Sequence, residues 1–147
     1  MLSWLFSDPL TPGTPAPDFS LPDDTGRVFT LSALKGKRVV LVFYPADDTP
    51  GCTRQLCEFR DEWSDARAAG VEVLGVNPGS ARSHEKFRAK FKLPFPLLVD
   101  EGQKVAEQYH ANGLFVKRTV YLIGTDGVIQ FGRRGMPPPS EVLQAGK

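Results

Sequence analysis

The amino-acid sequence predicts an α/β sandwich, a central mixed sheet flanked by helices, and three observations carry the prediction. The run Arg38–Tyr44 is apolar and β-branched without alternation, the pattern of a strand buried on both faces, and Val71–Val76 reads as a second such strand. Each is followed by helical spacing, to about Ala69 after the first and over Ser80–Phe91 after the second. Near the end, Thr119–Ile123 and Val128–Phe131 bracket Gly124-Thr-Asp-Gly127, a strong hairpin signal. Strand–helix alternation that closes on a hairpin implies a sheet with parallel and antiparallel parts.

Taken in order, residues 1–17 are rich in Pro, Thr and Ser and read as an irregular lead-in, with 1–13 ahead of the domain proper. Phe19–Leu21 and Val28–Leu31 flank Pro22-Asp-Asp-Thr-Gly26 as a small hairpin. The first buried strand leads into a loop, Pro45–Gly51, and that loop into the first long helix. Pro96–Val99 is a short third strand, Gln103–Tyr109 one or two helical turns, and Ser140–Gln144 a closing helix. No internal repeat or low-complexity linker interrupts the pattern. The 147 residues are read as a single domain, 1–147.

Composition narrows the function classes. Hydrophobic residues make up 41% and charged residues 24%, the proportions of a globular domain. A formal net charge of +1 gives no general attraction to nucleic acid or to an anionic membrane, so neither is expected as a partner. No apolar run reaches transmembrane length. The opening MLSWLFSDPL has a short apolar patch, Leu2–Phe6, but no basic start and no long apolar centre, so a signal peptide is not expected and a cytoplasmic location is. The basic stretch Arg82, Lys86, Arg88, Lys90 and Lys92 is interrupted by Glu85 and reads as a solvated helix face. No phosphate-binding glycine loop occurs.

The two cysteines, Cys52 and Cys57, are too few for a disulfide scaffold. A zinc site wants four ligands, and His84 and His110 lie far along the chain with no partner the sequence identifies. Redox chemistry is the better reading. Cys52 falls in the first turn of the predicted helix, where unpaired N–H groups and the helix dipole favour an anion, and the thiolate is the nucleophilic form of cysteine. Leu56, Phe59 and Trp63 follow it by 4, 7 and 11 positions, so all four share one helix face. Cys57 lies about 140° away, towards the flank.

The residues here carry a resemblance. Pro45, Thr49 and Cys52 match the P-x-x-x-T-x-x-C signature of the peroxiredoxins, and Cys52-Thr-Arg-Gln-Leu-Cys57 resembles the second-cysteine placement of their Q-type subfamily, also called bacterioferritin comigratory protein. Ala16-Pro-Asp-Phe19 resembles the usual opening of the family, and Thr119–Ile129 its late hairpin. The resemblance implies a thioredoxin-like fold, Cys52 as the peroxide-attacking residue and Cys57 as the resolving one. It also implies a catalytic arginine at the start of the late hairpin strand, and Arg118 is the residue at that position, with Lys117 beside it as the off-by-one alternative. Thr49 offers a hydroxyl that both donates and accepts, Pro45 stiffens the loop without an N–H of its own, and Gln55 either orients the network or is solvated.

The implied reaction takes a hydroperoxide substrate, forms an intramolecular Cys52–Cys57 disulfide and uses thioredoxin or a similar dithiol as reductant. It needs no metal or organic cofactor, and a monomer or weak homodimer is expected. Four residues between the cysteines argue against a C-x-x-C disulfide oxidoreductase, and a redox switch that is oxidised once is the alternative of a different class.

Helix geometry adds a constraint that does not depend on the family. On an intact helix the Cα atoms of Cys52 and Cys57 stand about 8.6 Å apart, from a rise of about 7.5 Å and a sideways offset of about 4.3 Å. A disulfide requires less than roughly 7 Å. Oxidation must therefore unwind the helix start, where Pro50 and Gly51 sit.

Overall fold

The computed structural model describes residues 8–145, so the part of the expected lead-in over residues 1–7 lies outside the described residues. Among these residues the chain forms β1 (Ser20–Pro22) and β2 (Val28–Thr30), a 3-10 turn over Leu31–Leu34, and β3 (Arg38–Phe43). Next come α1 (Pro50–Asp61), α2 (Trp63–Ala68), β4 (Val71–Asn77), α3 (Ala81–Phe91) and β5 (Leu97–Val99). A second 3-10 turn over Glu101–Gln103 precedes α4 (Lys104–Gln108), β6 (Thr119–Ile123), β7 (Ile129–Arg134) and α5 (Pro139–Gln144).

The main sheet has the order β5-β4-β3-β6-β7, and β1 and β2 form a separate hairpin. β3 is the central strand. It lies parallel to β4, with Val40 opposite Val73, and antiparallel to β6, with Leu41 opposite Tyr121. Parallel neighbours need a crossover, which α1 and α2 supply between β3 and β4, and α3 between β4 and β5. The closing hairpin makes β6 and β7 antiparallel. This is the mixed sheet that the pattern predicts.

The lack of alternation in β3 has a direct cause. Val40 and Val42 face one core cluster with Leu56, Phe59, Phe87 and Leu97, while Val39, Leu41 and Phe43 face the other with Tyr109, Tyr121 and Ile123. Both faces are covered, so neither register position is left for a polar residue. Each buried aliphatic side chain contributes roughly 1.5–3 kcal/mol of transfer free energy, enough to fix the strand at the centre of the sheet.

Several boundaries differ from expectation. The helical stretch predicted to run to Ala69 breaks at Glu62, where φ is −96° and ψ is 4°. Neither Gly nor Pro stands there, so the apolar spacing carries through the break, and Trp63 packs only partly buried against the core. β3 ends at Phe43, and β5 begins at Leu97. β7 begins one residue late and runs on to Arg134, past the expected end at Phe131. Its last residues pair fully, Arg134 opposite Thr119, although their polar character hides the strand. Gly132 is required there: a Cβ would stand 2.8 Å from the Leu10 carbonyl oxygen and 2.8 Å from the Tyr121 ring. The 3-10 turn over Leu31–Leu34 has no counterpart in the pattern.

Candidate active site

α1 begins where the central strand ends, after the loop 44–49. Thr49 is the extended N-cap residue, and its carbonyl accepts the Thr53 N–H at 2.8 Å. Pro50 occupies the first helical position, where the missing N–H removes no intrahelical bond. Cys52 is therefore the third residue of the helix. It is 1% exposed and joins the core cluster of Leu56 and Phe59. Cys57, on the same unbroken helix, is half-buried at the edge of that cluster, and both cysteines are free thiols.

Arg118 reaches across to this turn from the residue before β6. Its Nη2 donates to the Cys52 Sγ at 3.3 Å, and its Nη1 donates to the Gln55 Oε1 at 2.8 Å. Gln55 is buried, not solvated, and its Nε2 donates to the Gly135 carbonyl at 3.4 Å. The Gly135 N–H in turn donates to the Arg118 carbonyl at 2.8 Å, which ties the end of β7 to the base of the arginine. Gly51 leaves room for the guanidinium, since a Cβ there would lie 3.2 Å from Nη2. Of the two basic neighbours it is Arg118 that meets the sulfur. The Lys117 N–H bonds the Ala111 carbonyl at 2.7 Å, and its ammonium pKa is lowered by burial and by Arg134.

Thr49 donates its hydroxyl to the Ala46 carbonyl at 3.0 Å, which leaves its lone pairs as acceptors. Pro45 is half-buried and follows Tyr44, whose carbonyl accepts from the Asn77 Nδ2 at 2.8 Å. The loop thus carries Pro45 and Thr49 into the turn of Cys52, whose sulfur meets Arg118, itself held by Gln55. Asp48 within it takes a left-handed φ of 54°, which Asp tolerates better than most residues.

Sequence reasoning missed one group beside this turn. His84 of α3 is buried against the Asp47 carboxylate, its Nδ1 at 2.6 Å from Oδ2. The signal was available in the helical phase: His84 precedes Phe87 by three positions, which puts it on the apolar stripe of α3. The basic stretch around it is in part paired, Arg88 with Asp24 and Lys90 with Asp48.

A cysteine at the head of the helix after the central strand, capped by a guanidinium from the antiparallel side, defines a thiol site on a thioredoxin fold. The chain belongs to the AhpC/TSA family, which matches residues 12–131. Within it the chain resembles proteins named peroxiredoxin Q or bacterioferritin comigratory protein. It is 46% identical over 123 residues to the chloroplastic peroxiredoxin Q of rice, Oryza sativa, covering 81% of this chain and 57% of that protein's length. A protein of Coxiella burnetii named as a peroxiredoxin bcp is 46% identical over 129 residues, covering 80% of this chain and 83% of that one. The peroxidoxin BcpB structure of Mycobacterium tuberculosis superposes with a TM-score of 0.86 at 33% identity, over 92% of this chain and 96% of that one. The bacterioferritin comigratory protein of Xanthomonas campestris, whose structures address its alkyl peroxide reduction activity, gives 0.82 at 28% identity, over 86% and 88%.

Proposed function

We propose that the chain is a thiol-dependent peroxidase that reduces hydrogen peroxide and organic hydroperoxides. The observation that carries this reading is the Arg118 contact on Cys52, with a second thiol five residues along the same helix. In the first step the Cys52 thiolate attacks one peroxide oxygen. An S–O bond forms, the O–O bond breaks, and the departing oxygen leaves as water or alcohol after taking a proton. The Arg118 guanidinium holds the thiolate and donates to the peroxide as negative charge moves onto the leaving oxygen. The Thr49 lone pairs accept the peroxide O–H, and Pro45 adds no N–H that would draw water to the sulfur. Gln55 holds the guanidinium in its plane.

In the second step the Cys57 thiolate attacks the sulfur of the Cys52 sulfenic acid. The S–S bond forms and the hydroxyl leaves as water. An external dithiol, thioredoxin or a similar protein, then reduces the disulfide by exchange and is itself oxidised. The chemistry uses no metal and no organic cofactor. A cytoplasmic location, where such dithiols keep thiols reduced, accompanies this reading. Among the described residues no helix is long and apolar enough to cross a membrane. Peroxide consumption measured with thioredoxin and a regenerating reductase tests the proposal. Many equivalents consumed per chain are expected, and a single stoichiometric oxidation would assign the chain to redox switching instead.

A further inference from the structure

A buried charge pair lies behind the peroxidatic turn and takes no part in the chemistry above. The Asp47 side chain is 6% exposed and the His84 side chain 0%. Asp47 Oδ1 accepts from the Tyr44 hydroxyl at 2.6 Å, and Oδ2 accepts from the Ser83 hydroxyl at 2.6 Å as well as meeting His84 Nδ1. The other ring nitrogen, Nε2, lies 3.0 Å from the Leu98 carbonyl oxygen and 3.3 Å from that of Asn77. A neutral imidazole carries one N–H and one bare lone pair. Here both nitrogens face acceptors, so a bare lone pair on either would point at oxygen, and the imidazolium satisfies both. Three donors converge on the carboxylate, which keeps the shared proton on the ring.

The electrostatics run the same way. Burial works against charge on His84, but the Asp47 hydrogen bond and charge and the two carbonyls outweigh it and raise the imidazole pKa. Burial likewise works against the Asp47 anion, and the bonds from His84, Ser83 and Tyr44 outweigh it and lower that pKa. The other charged groups near the pair are few. The hairpin turn contributes Asp24, held by Arg88 of α3, and Asp23, whose carboxylate is turned to the Thr25 and Arg27 N–H groups. α3 also contributes Lys90, on Asp48, and α1 contributes Cys52, whose charge acts on Tyr44. β4 and β5 present the Asn77 and Leu98 carbonyls to the ring.

Resting on the peroxidase reading, we infer that His84 is a positioning residue: as an imidazolium it anchors Asp47, and with it the loop carrying Pro45 and Thr49, against α3. Asp47 stands two residues before the Thr49 N-cap and five before Cys52. Asp48 gives the loop a second tie, to Lys90 at 3.0 Å, but that pair is exposed and weak. When His84 loses its proton, Nδ1 can keep its N–H only by turning a lone pair on the Leu98 carbonyl, and the anchor slackens. Peroxide attack requires alignment of Thr49, the peroxide and the sulfur, and a displacement of about 1 Å costs up to roughly a hundredfold in rate.

The test combines ring nitrogen NMR with transient kinetics on the full chain. The wild type is expected to show both His84 nitrogens protonated at about pH 7, with His110→Asn assigning the signals. Above the His84 midpoint, amide exchange over residues 46–49 should accelerate and Cys52 oxidation by hydrogen peroxide should slow. In His84→Gln the oxidation should be about tenfold slower at neutral pH and should lose that alkaline decline. A neutral His84 ring at pH 7, or exchange over 46–49 that ignores its titration, overturns the inference, and so does the same alkaline decline in His84→Gln. If that variant does not fold, the wild-type NMR and exchange data decide. If the chain consumes no peroxide, the peroxidase reading falls, while those two measurements still decide whether His84 anchors the loop.

Discussion

At Cys52 two sources of positive potential converge on one sulfur, the N-terminus of α1 and the Arg118 guanidinium at 3.3 Å. Arg118→Ala should slow Cys52 oxidation by about 10²–10³-fold, the usual loss for one donor of this kind. Lys117→Ala should change the rate far less. Peroxide kinetics on both variants check this, and equal effects would contradict it. Gly51→Ala gives a sharper case. The added Cβ would stand 3.2 Å from Nη2, so the guanidinium must move by a few tenths of an ångström. Stability should hold or rise by up to about 1 kcal/mol, because Ala replaces Gly in a helix, while the oxidation rate falls. Chemical denaturation and stopped-flow kinetics on the same sample separate the two effects. At this scale the cysteines and the loop were legible in the sequence, because their spacing is local. The preference for Arg118 over Lys117 rests on the family resemblance and not on local spacing, because the approach to Cys52 depends on how β6 sets the chain beside α1. Gln55 was undecided for the same reason, since its partners are Arg118 and Gly135, 63 and 80 residues away.

For α1 the same geometry that shields the thiol forbids the disulfide. The helix runs unbroken through both cysteines, so the bond requires its first turns to open. Besides the backbone bonds of the first turns themselves, Thr53 N–H to Thr49 among them, the opening must release Gln55 from Gly135 and Arg118 from Gln55 and Cys52. Amide exchange across residues 50–60 is expected to accelerate on oxidation, with β3 and β4 unchanged. Equal protection in both redox states would separate resolution from local unfolding. The start of α1 was readable from Pro50 at the first helical position, a purely local signal. Its end at Glu62 was not, because no breaker residue marks it and the apolar spacing continues into α2.

In the molecule as a whole, the sheet holds two distant segments in register, the loop after β3 and the residue before β6, and the candidate site forms where they meet. The burial of β3 on both faces was legible because two covered faces force an unbroken apolar run, whereas its place in the strand order was not, and β7 beyond Phe131 was hidden by Arg133 and Arg134. The Asp47–His84 pair also makes global stability depend on pH. The raised His84 pKa contributes stability that is fully present below the ordinary histidine pKa of about 6.5 and is lost as pH rises through the folded value. The lowered Asp47 pKa contributes stability present above the ordinary aspartate pKa of about 3.9 and lost as pH falls through the folded value. Denaturant midpoints should therefore be highest between these limits, and His84→Gln should flatten the alkaline side. The division of labour between the two thiols is tested most directly by stopped-flow peroxide consumption in the wild type, Cys52→Ser and Cys57→Ser. Repeated turnover with a dithiol is expected for the wild type, one fast equivalent and then a stall for Cys57→Ser, and no reaction for Cys52→Ser. A first oxidation that survives in Cys52→Ser and disappears in Cys57→Ser would contradict it.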